Sequence, residues 1–113
     1  MIRGAVYRID LGRPRGREQG GRRLGLVVSP SDSALSVVTV VPTSTSAGPS
    51  VHRPKLEIWG RATRMLVDQV RSIDVNHVVG DPVDFLNRDE LAEVELALAQ
   101  YLGLQDVSAP RSS

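Results

Sequence analysis

Arg22 and Arg23 stand together at the end of a glycine-rich stretch, Gly12 to Arg23, where an apolar, β-branched run begins. A guanidinium fixed by a strand can be aimed, and the loop before it can fold over a bound group. Arginine's planar fork suits phosphate oxygens and the edges of bases. Glu18 is the one acid inside that loop. It is either an ion-pair partner for the arginines or a general base. Further on, Ser44, Thr45 and Ser46 place three hydroxyls just past a strand. They can donate to a phosphate oxygen, or close a turn through local backbone bonds. Gln69 and Arg71 lie in a well-punctuated turn, where either they read base edges or Asp68 simply caps the turn.

Other chemistries find little support. His52 and His77 fall in different segments with no visible pairing, so surface or structural roles are expected of both. Cysteine is absent, which excludes a thiolate nucleophile, a disulfide framework and a Cys-ligated zinc. There is no HExxH, no carboxylate cluster and no P-loop, so neither a metal nor a nucleotide cofactor is expected. Trp59, the lone tryptophan, can stack a base or fill a barrel.

Charge is polarised along the chain although the net charge is only +1. Residues 1–23 hold seven arginines against Asp10 and Glu18, whereas residues 74–113 hold eight acids against Arg88 and Arg111. All but one of the 14 basic residues are arginine. The split points to a local anion-binding face, or to ordinary solvated charge with an arginine bias. No apolar stretch reaches the roughly 18 residues of a membrane span, and no cationic leader precedes an apolar run. A cytoplasmic protein is expected, with no membrane partner.

The elements that must position these residues are short. Ala5 to Leu11 alternates with the period of a half-buried strand. Leu24–Val28 and Ser36–Val41 read as a central hairpin, with Pro42 closing its second strand. Lys55–Trp59, Arg64–Val67 and His77–Val83 are further strands, with Asp68–Asn76 a turn or single helical turn between the last two. One helix follows. Asn87 is its N-cap with Glu90 as capping-box partner, Leu86 and Leu91 form a staple, and Gly103 is the C-cap. Leu91, Val94, Leu98 and Tyr101 make its apolar stripe. A chain of 113 residues has room for one domain, set at residues 1–104, with a disordered polar tail over 105–113. The expected fold is mainly β with a C-terminal helix, a small, strongly bent SH3-like barrel.

Three segments in order carry a resemblance: Gly16-Arg-Glu-Gln-Gly-Gly-Arg-Arg23 leading into Gly25-Leu-Val-Val-Ser-Pro30, Val40-Val-Pro-Thr-Ser-Thr45, and Leu66-Val-Asp-Gln-Val-Arg-Ser-Ile73. With the opening Arg3-Gly-Ala-Val-Tyr7 and the closing Tyr101-Leu-Gly-Leu104, the chain resembles the MazF/PemK-type toxin endoribonucleases, most of all their actinobacterial branch. The resemblance implies a CcdB/MazF-type barrel, a homodimer, and metal-independent, motif-specific cleavage of single-stranded RNA. The RNA's own 2′-hydroxyl would attack, leaving a 2′,3′-cyclic phosphate and a 5′-hydroxyl, and a MazE-like antitoxin would neutralise the enzyme. Carried over by position, Arg23 is the catalytic arginine and Glu18 the loop base or arginine-ordering acid. Gln19, Arg17, Arg22, Gln69 and Arg71 are RNA contacts. Strict register puts the catalytic hydroxyl on Ser44, ahead of its neighbour Thr45. Leu24 stands where the family usually has proline.

Two non-nuclease classes compete on the same fold. One is a CcdB-like gyrase poison, whose activity resides in C-terminal residues that this Arg-Ser-Ser ending does not supply. The other is an SH3-like module whose arginines hold nucleic acid without cutting it.

Overall fold

The computed structural model describes residues 1–12, 21–31 and 36–104. The loop residues Arg17, Glu18 and Gln19 and the tail 105–113 therefore lie outside the described residues. In chain order the elements are β1 (Ala5–Asp10), β2 (Arg22–Val27), β3 (Val37–Ser44), β4 (Lys55–Ile58) and β5 (Arg61–Met65). A 3-10 turn (Val67–Gln69), β6 (Arg71–Asp74), a second 3-10 turn (Val75–His77), β7 (Val78–Phe85) and α1 (Arg88–Leu102) follow. The antiparallel strand order is β4-β5-β3-β2-β1-β7, with β6 also on β3. The sheet curls into a half-barrel whose concave face is covered by the helix, as the mainly-β reading expects.

Strand β3 is the hub. Val37–Val40 pair with β6, and Val40–Pro42 pair with β2 on the opposite edge. Thr43 and Ser44 then pair with Met65 and Arg64 of β5. Pro42 was expected to end this strand, and it does not. It sits opposite the 3-10 turn that separates β5 from β6, where no ladder donor is needed, and its carbonyl still accepts from the Leu66 amide at 2.8 Å. Asp68–Asn76 contains a strand, β6, flanked by two 3-10 turns rather than one turn. The preceding strand likewise begins earlier and ends earlier than its apolar letters indicate, at Arg61–Met65. β7 runs on to Phe85 because its register shifts between the Val6–Asp84 and Arg8–Val79 pairs. Gly80, at φ 73°, and Pro82 fall inside that irregularity instead of breaking the strand.

Two apolar clusters sandwich the sheet. On the concave side Val6, Leu26, Val41, Met65, Leu56 and Ile58 pack with Val94 and Ala97 of the helix. On the other side Tyr7, Ile9, Val27, Val38, Val40 and Ile73 pack together. Both faces of β1 are thereby covered at Ala5–Tyr7, which is more burial than a half-buried strand would show. Gly25 pairs with Tyr7 and Pro42, and a Cβ there would lie 2.5 Å from Ile9 Cδ1. Glycine at this position gives Ile9 its space in the core.

The helix ends follow the sequence closely. Asn87 Oδ1 accepts from the Glu90 amide at 2.8 Å, and Glu90 Oε1 accepts from the Asn87 amide at 2.9 Å. Gly103 caps the C-terminus in the left-handed conformation. Leu86 and Leu91 both pack on the concave core, as a staple requires. The stripe is shifted from expectation. Ala97 is buried, while Tyr101 is exposed and meets His52 edge-on with ring centroids 5.3 Å apart.

The β5–β6 connection is pinned by charge. Arg53 Nε and Nη2 donate to the two carboxylate oxygens of Asp68, each at 2.9 Å, with only 23% and 25% of the side chains exposed. Those hydrogen bonds hold the Asp68 carboxyl below the ordinary carboxylate range and raise the Arg53 guanidinium. A depressed carboxyl stabilises the fold fully above its unfolded pKa of about 3.9, and the contribution is lost as pH falls through the folded value. Asp68→Asn should therefore cost about 1–3 kcal/mol at neutral pH. In urea titrations the gap between wild type and variant should close progressively below about pH 4.

Candidate functional site

The concave face changes character along its strands. Near the helix its inward rows are Val6, Leu26, Val41 and Met65. Two residues further along each strand stand Arg8, Leu24, Thr43 and Thr63. Period-two alternation alone requires that these side chains continue the same rows, so the apolar interior opens into a polar mouth. The mouth is a cleft of about 480 Å³ lined by Arg22, Arg23, Ser44–Ser46, Trp59 and Arg61, with Thr43 and Thr63 in its wall. A second cleft of about 370 Å³ lies on the β1–β7 side, between Arg8, Asp10, Arg22, Arg23 and Val79. Arg22 and Arg23 border both.

Beyond the Gly25–Pro42 pair, β2 and β3 are held by side chains. Arg23 Nη1 donates to the Thr43 carbonyl at 2.9 Å, and Thr43 Oγ1 donates to the Leu24 carbonyl at 2.9 Å. The pair is reciprocal, tying each strand to the other where their ladder has ended. It also aims the Arg23 guanidinium at the cleft. Arg22 is more exposed and sits 4.0 Å from Asp10.

Ser44 sits at the last position of β3, and its Oγ accepts from the Ser46 amide at 3.2 Å and the Ala47 amide at 3.0 Å. The local-turn reading of the Ser-Thr-Ser segment is thus realised at Ser44. The two accepted bonds fix the oxygen at the rim of the cleft, and its hydroxyl also meets Ser46 Oγ at 3.4 Å. Thr45 is next to it and exposed. The structure therefore brings Arg22, Arg23, Ser44 and Thr45 together. Gln69 and Arg71, on a 3-10 turn and at the start of β6, do not line this cleft.

Trp59 and Arg8 are the residues whose place the sequence left open or missed. Trp59 is 56% exposed at the tip of the β4–β5 hairpin, so it does not fill the barrel. The Arg8 guanidinium lies over its ring, 5.1 Å from the centroid. Alternation along Ala5–Leu11 could have flagged Arg8 as an inward-facing charge on a β strand. His52 packs on Tyr101 with its Nδ1 buried and unpartnered, and His77 is exposed. Among the described residues no three His, Asp or Glu side chains are grouped to hold a metal. No helix among them is long and apolar enough to cross a membrane.

The profile described as "PemK-like, MazF-like toxin of type II toxin-antitoxin system" matches residues 2–102. A Mycobacterium tuberculosis protein named as a toxin is 61% identical over 105 residues, spanning 92% of this chain and 99% of the relative. The MazF crystal structure from Deinococcus radiodurans superposes with a TM-score of 0.79 at 28% identity, covering 90% of this chain and 96% of that one. A mycobacterial endoribonuclease in complex with its cognate antitoxin has the same fold, with a TM-score of 0.76 at 22% identity over 93% and 97% of the two chains.

Thr43 is 4% exposed and its hydroxyl is spent on the bridge to β2, so the bridge can be tested by an isosteric substitution. Thr43→Val keeps the shape and removes the side-chain hydrogen bond to the Leu24 carbonyl. The expected loss is about 1–2 kcal/mol of unfolding free energy, read by denaturant titration.

Proposed function

Because the chain belongs to the PemK-like, MazF-like toxins of type II toxin–antitoxin systems, we propose that it is a cytoplasmic endoribonuclease. It cleaves single-stranded RNA at a short sequence motif, with no metal cofactor. The observation that carries the reading is the meeting of an anchored Arg23 and an oriented Ser44 hydroxyl in one arginine-rich cleft.

In the proposed reaction the RNA 2′-oxygen attacks the adjacent phosphorus and its proton passes to a base, for which Glu18 is the candidate. Negative charge builds on the non-bridging oxygens of the phosphorane. Arg23 stabilises that charge from a position set before substrate arrives, which is where fixed donors contribute most. Ser44 donates its hydroxyl hydrogen to one of the same oxygens, with Thr45 as the alternative donor. The bond to the 5′-oxygen breaks, that oxygen takes up a proton for which Arg23 is the candidate donor, and the ends are a 2′,3′-cyclic phosphate and a 5′-hydroxyl. Arginine is a weak acid donor, so its role is mainly electrostatic. Arg17, Gln19 and Arg22 hold the chain on either side of the scissile phosphate, and Gln69 and Arg71 meet RNA that extends past the cleft.

Partners follow from the same charges. Toxins of this fold occur in complexes with cognate antitoxins. An acidic antitoxin segment that mimics the RNA backbone would occupy the arginine face of a homodimer and compete with substrate.

Arg23→Ala should lower cleavage about 10²–10³-fold in EDTA while the protein stays folded. Ser44→Ala should cost about ten- to a hundredfold and Thr45→Ala less. An Arg23→Ala enzyme that cuts at the wild-type rate overturns the assignment, and RNA binding without cleavage by the wild type would make the protein a binding module. The antitoxin arm is read by size-exclusion with light scattering. A dimer should bind the acidic product of the adjoining reading frame, lose RNase activity on binding it, and release it more readily as salt rises.

A further inference from the structure

Trp59 combines four features that a packing residue would not share. The ring is 56% exposed, yet it lines the same cleft as Arg22, Arg23 and the Ser44 hydroxyl. Its backbone lies at φ 50°, in the left-handed region that a bulky residue rarely enters. Gly60 follows at φ 80°, so Trp59-Gly60 form the two central positions of a tight hairpin turn between Ile58 and Arg61. That turn type favours Asn-Gly, and tryptophan is an unfavourable choice for it. The strained conformation is held from outside, because Asp84 on β7 accepts the Trp59 amide at 2.7 Å. Arg8 then covers the ring with its guanidinium at 5.1 Å. Local strain maintained by surrounding contacts is characteristic of functional positions.

We propose that Trp59 is a stacking platform for one unpaired nucleobase of the RNA, next to the phosphate held by Arg23. The inference rests on the nuclease reading and adds to it the residue that engages a base. An indole offers a flat apolar surface to any base, and a guanidinium above the ring fixes its orientation and adds positive charge beside the incoming strand. Arg61 flanks the turn directly, so a base on Trp59 carries its phosphate between cations on both sides. Asp84 positions the platform by restraining the turn, without touching RNA itself.

Trp59 is the only tryptophan in the chain, so its fluorescence reports the contact directly. The probe is a short mixed-sequence 2′-O-methyl RNA, which has no attacking hydroxyl, alongside inorganic polyphosphate as a backbone-charge control. Binding is read independently by anisotropy of end-labelled RNA. RNA should quench the emission at saturation and polyphosphate should not. Trp59→Phe keeps an aromatic ring and should retain most RNA affinity. Trp59→Asn creates the preferred turn sequence, so its melting temperature should equal or exceed that of the wild type. Its RNA affinity should nonetheless fall about tenfold or more, with polyphosphate affinity unchanged.

A merely structural tryptophan would give the opposite pattern, with the Asn variant as good as wild type. Unchanged emission on saturation with RNA, or wild-type RNA affinity in Trp59→Asn, overturns the proposal. Cleavage of unmodified RNA is scored separately. A wild type that cuts RNA without quenching keeps the nuclease reading and loses this one, while quenching without cleavage does the reverse.

Discussion

Past the Gly25–Pro42 pair, β2 and β3 no longer share a regular ladder, and side chains take over the connection between them. Backbone acceptors in a partly buried position cannot be left unpaired cheaply. Thr43 Oγ1 and Arg23 Nη1 donate to one each. This reciprocal tie decides the rest of the site. It lets two strands part enough to form a mouth while fixing how far they part. It also makes the orientation of Arg23 in part a by-product of sheet structure.

The same sheet explains why the cleft lies where it does. β3 serves β2 on one edge and the β5–β6 segment on the other, with a 3-10 turn opposite Pro42. The concave rows begin as aliphatic side chains under Val94 and Ala97 and end as arginine and threonine beyond the helix's reach. Burial by one helix of limited length thus divides a single face into core and site. Asp84 completes the frame by joining β7 to the tip of the β4–β5 hairpin, across the open side of the half-barrel.

Sequence patterns carried the local features well. The helix termini were legible because capping is chemistry among neighbours: Asn87, Glu90 and Gly103 need no tertiary partner to make their case. Alternation gave β1 and β4 nearly intact, and the short apolar, β-branched run gave β2 from Leu24, two residues after it begins at Arg22. β6 was missed because Arg71–Asp74 holds a single buried apolar residue, Ile73, and becomes a strand only through β3. Pro42 was misread because the cost of a missing N–H depends on what lies across from it, which is a tertiary fact. Within the site, Arg22, Arg23, Ser44 and Thr45 were chosen from residue type and order, and they meet in one cleft. The exposure of Trp59 and its contact with Arg8 were not readable, since they depend on distant strands meeting across the barrel mouth.

Folding also turns the charge gradient along the chain into a gradient in space. Arg22, Arg23 and Arg61 line the mouth and Arg8 lies over Trp59 at its edge, from three strands in all, although the chain as a whole carries only +1. Asp89, Glu90, Glu93 and Glu95 are all on α1, which packs on the aliphatic end of the same face. A polyanion is therefore attracted to one end of the molecule and repelled from the other. With a Debye length of about 8 Å at physiological salt, the attraction acts at close range, where it orients a strand rather than gathering it from solution. A protein of strongly positive net charge would hold nucleic acid anywhere on its surface. Placing the compensating acids on the helix instead concentrates the positive charge of the described residues around the cleft where Arg23 and Ser44 stand.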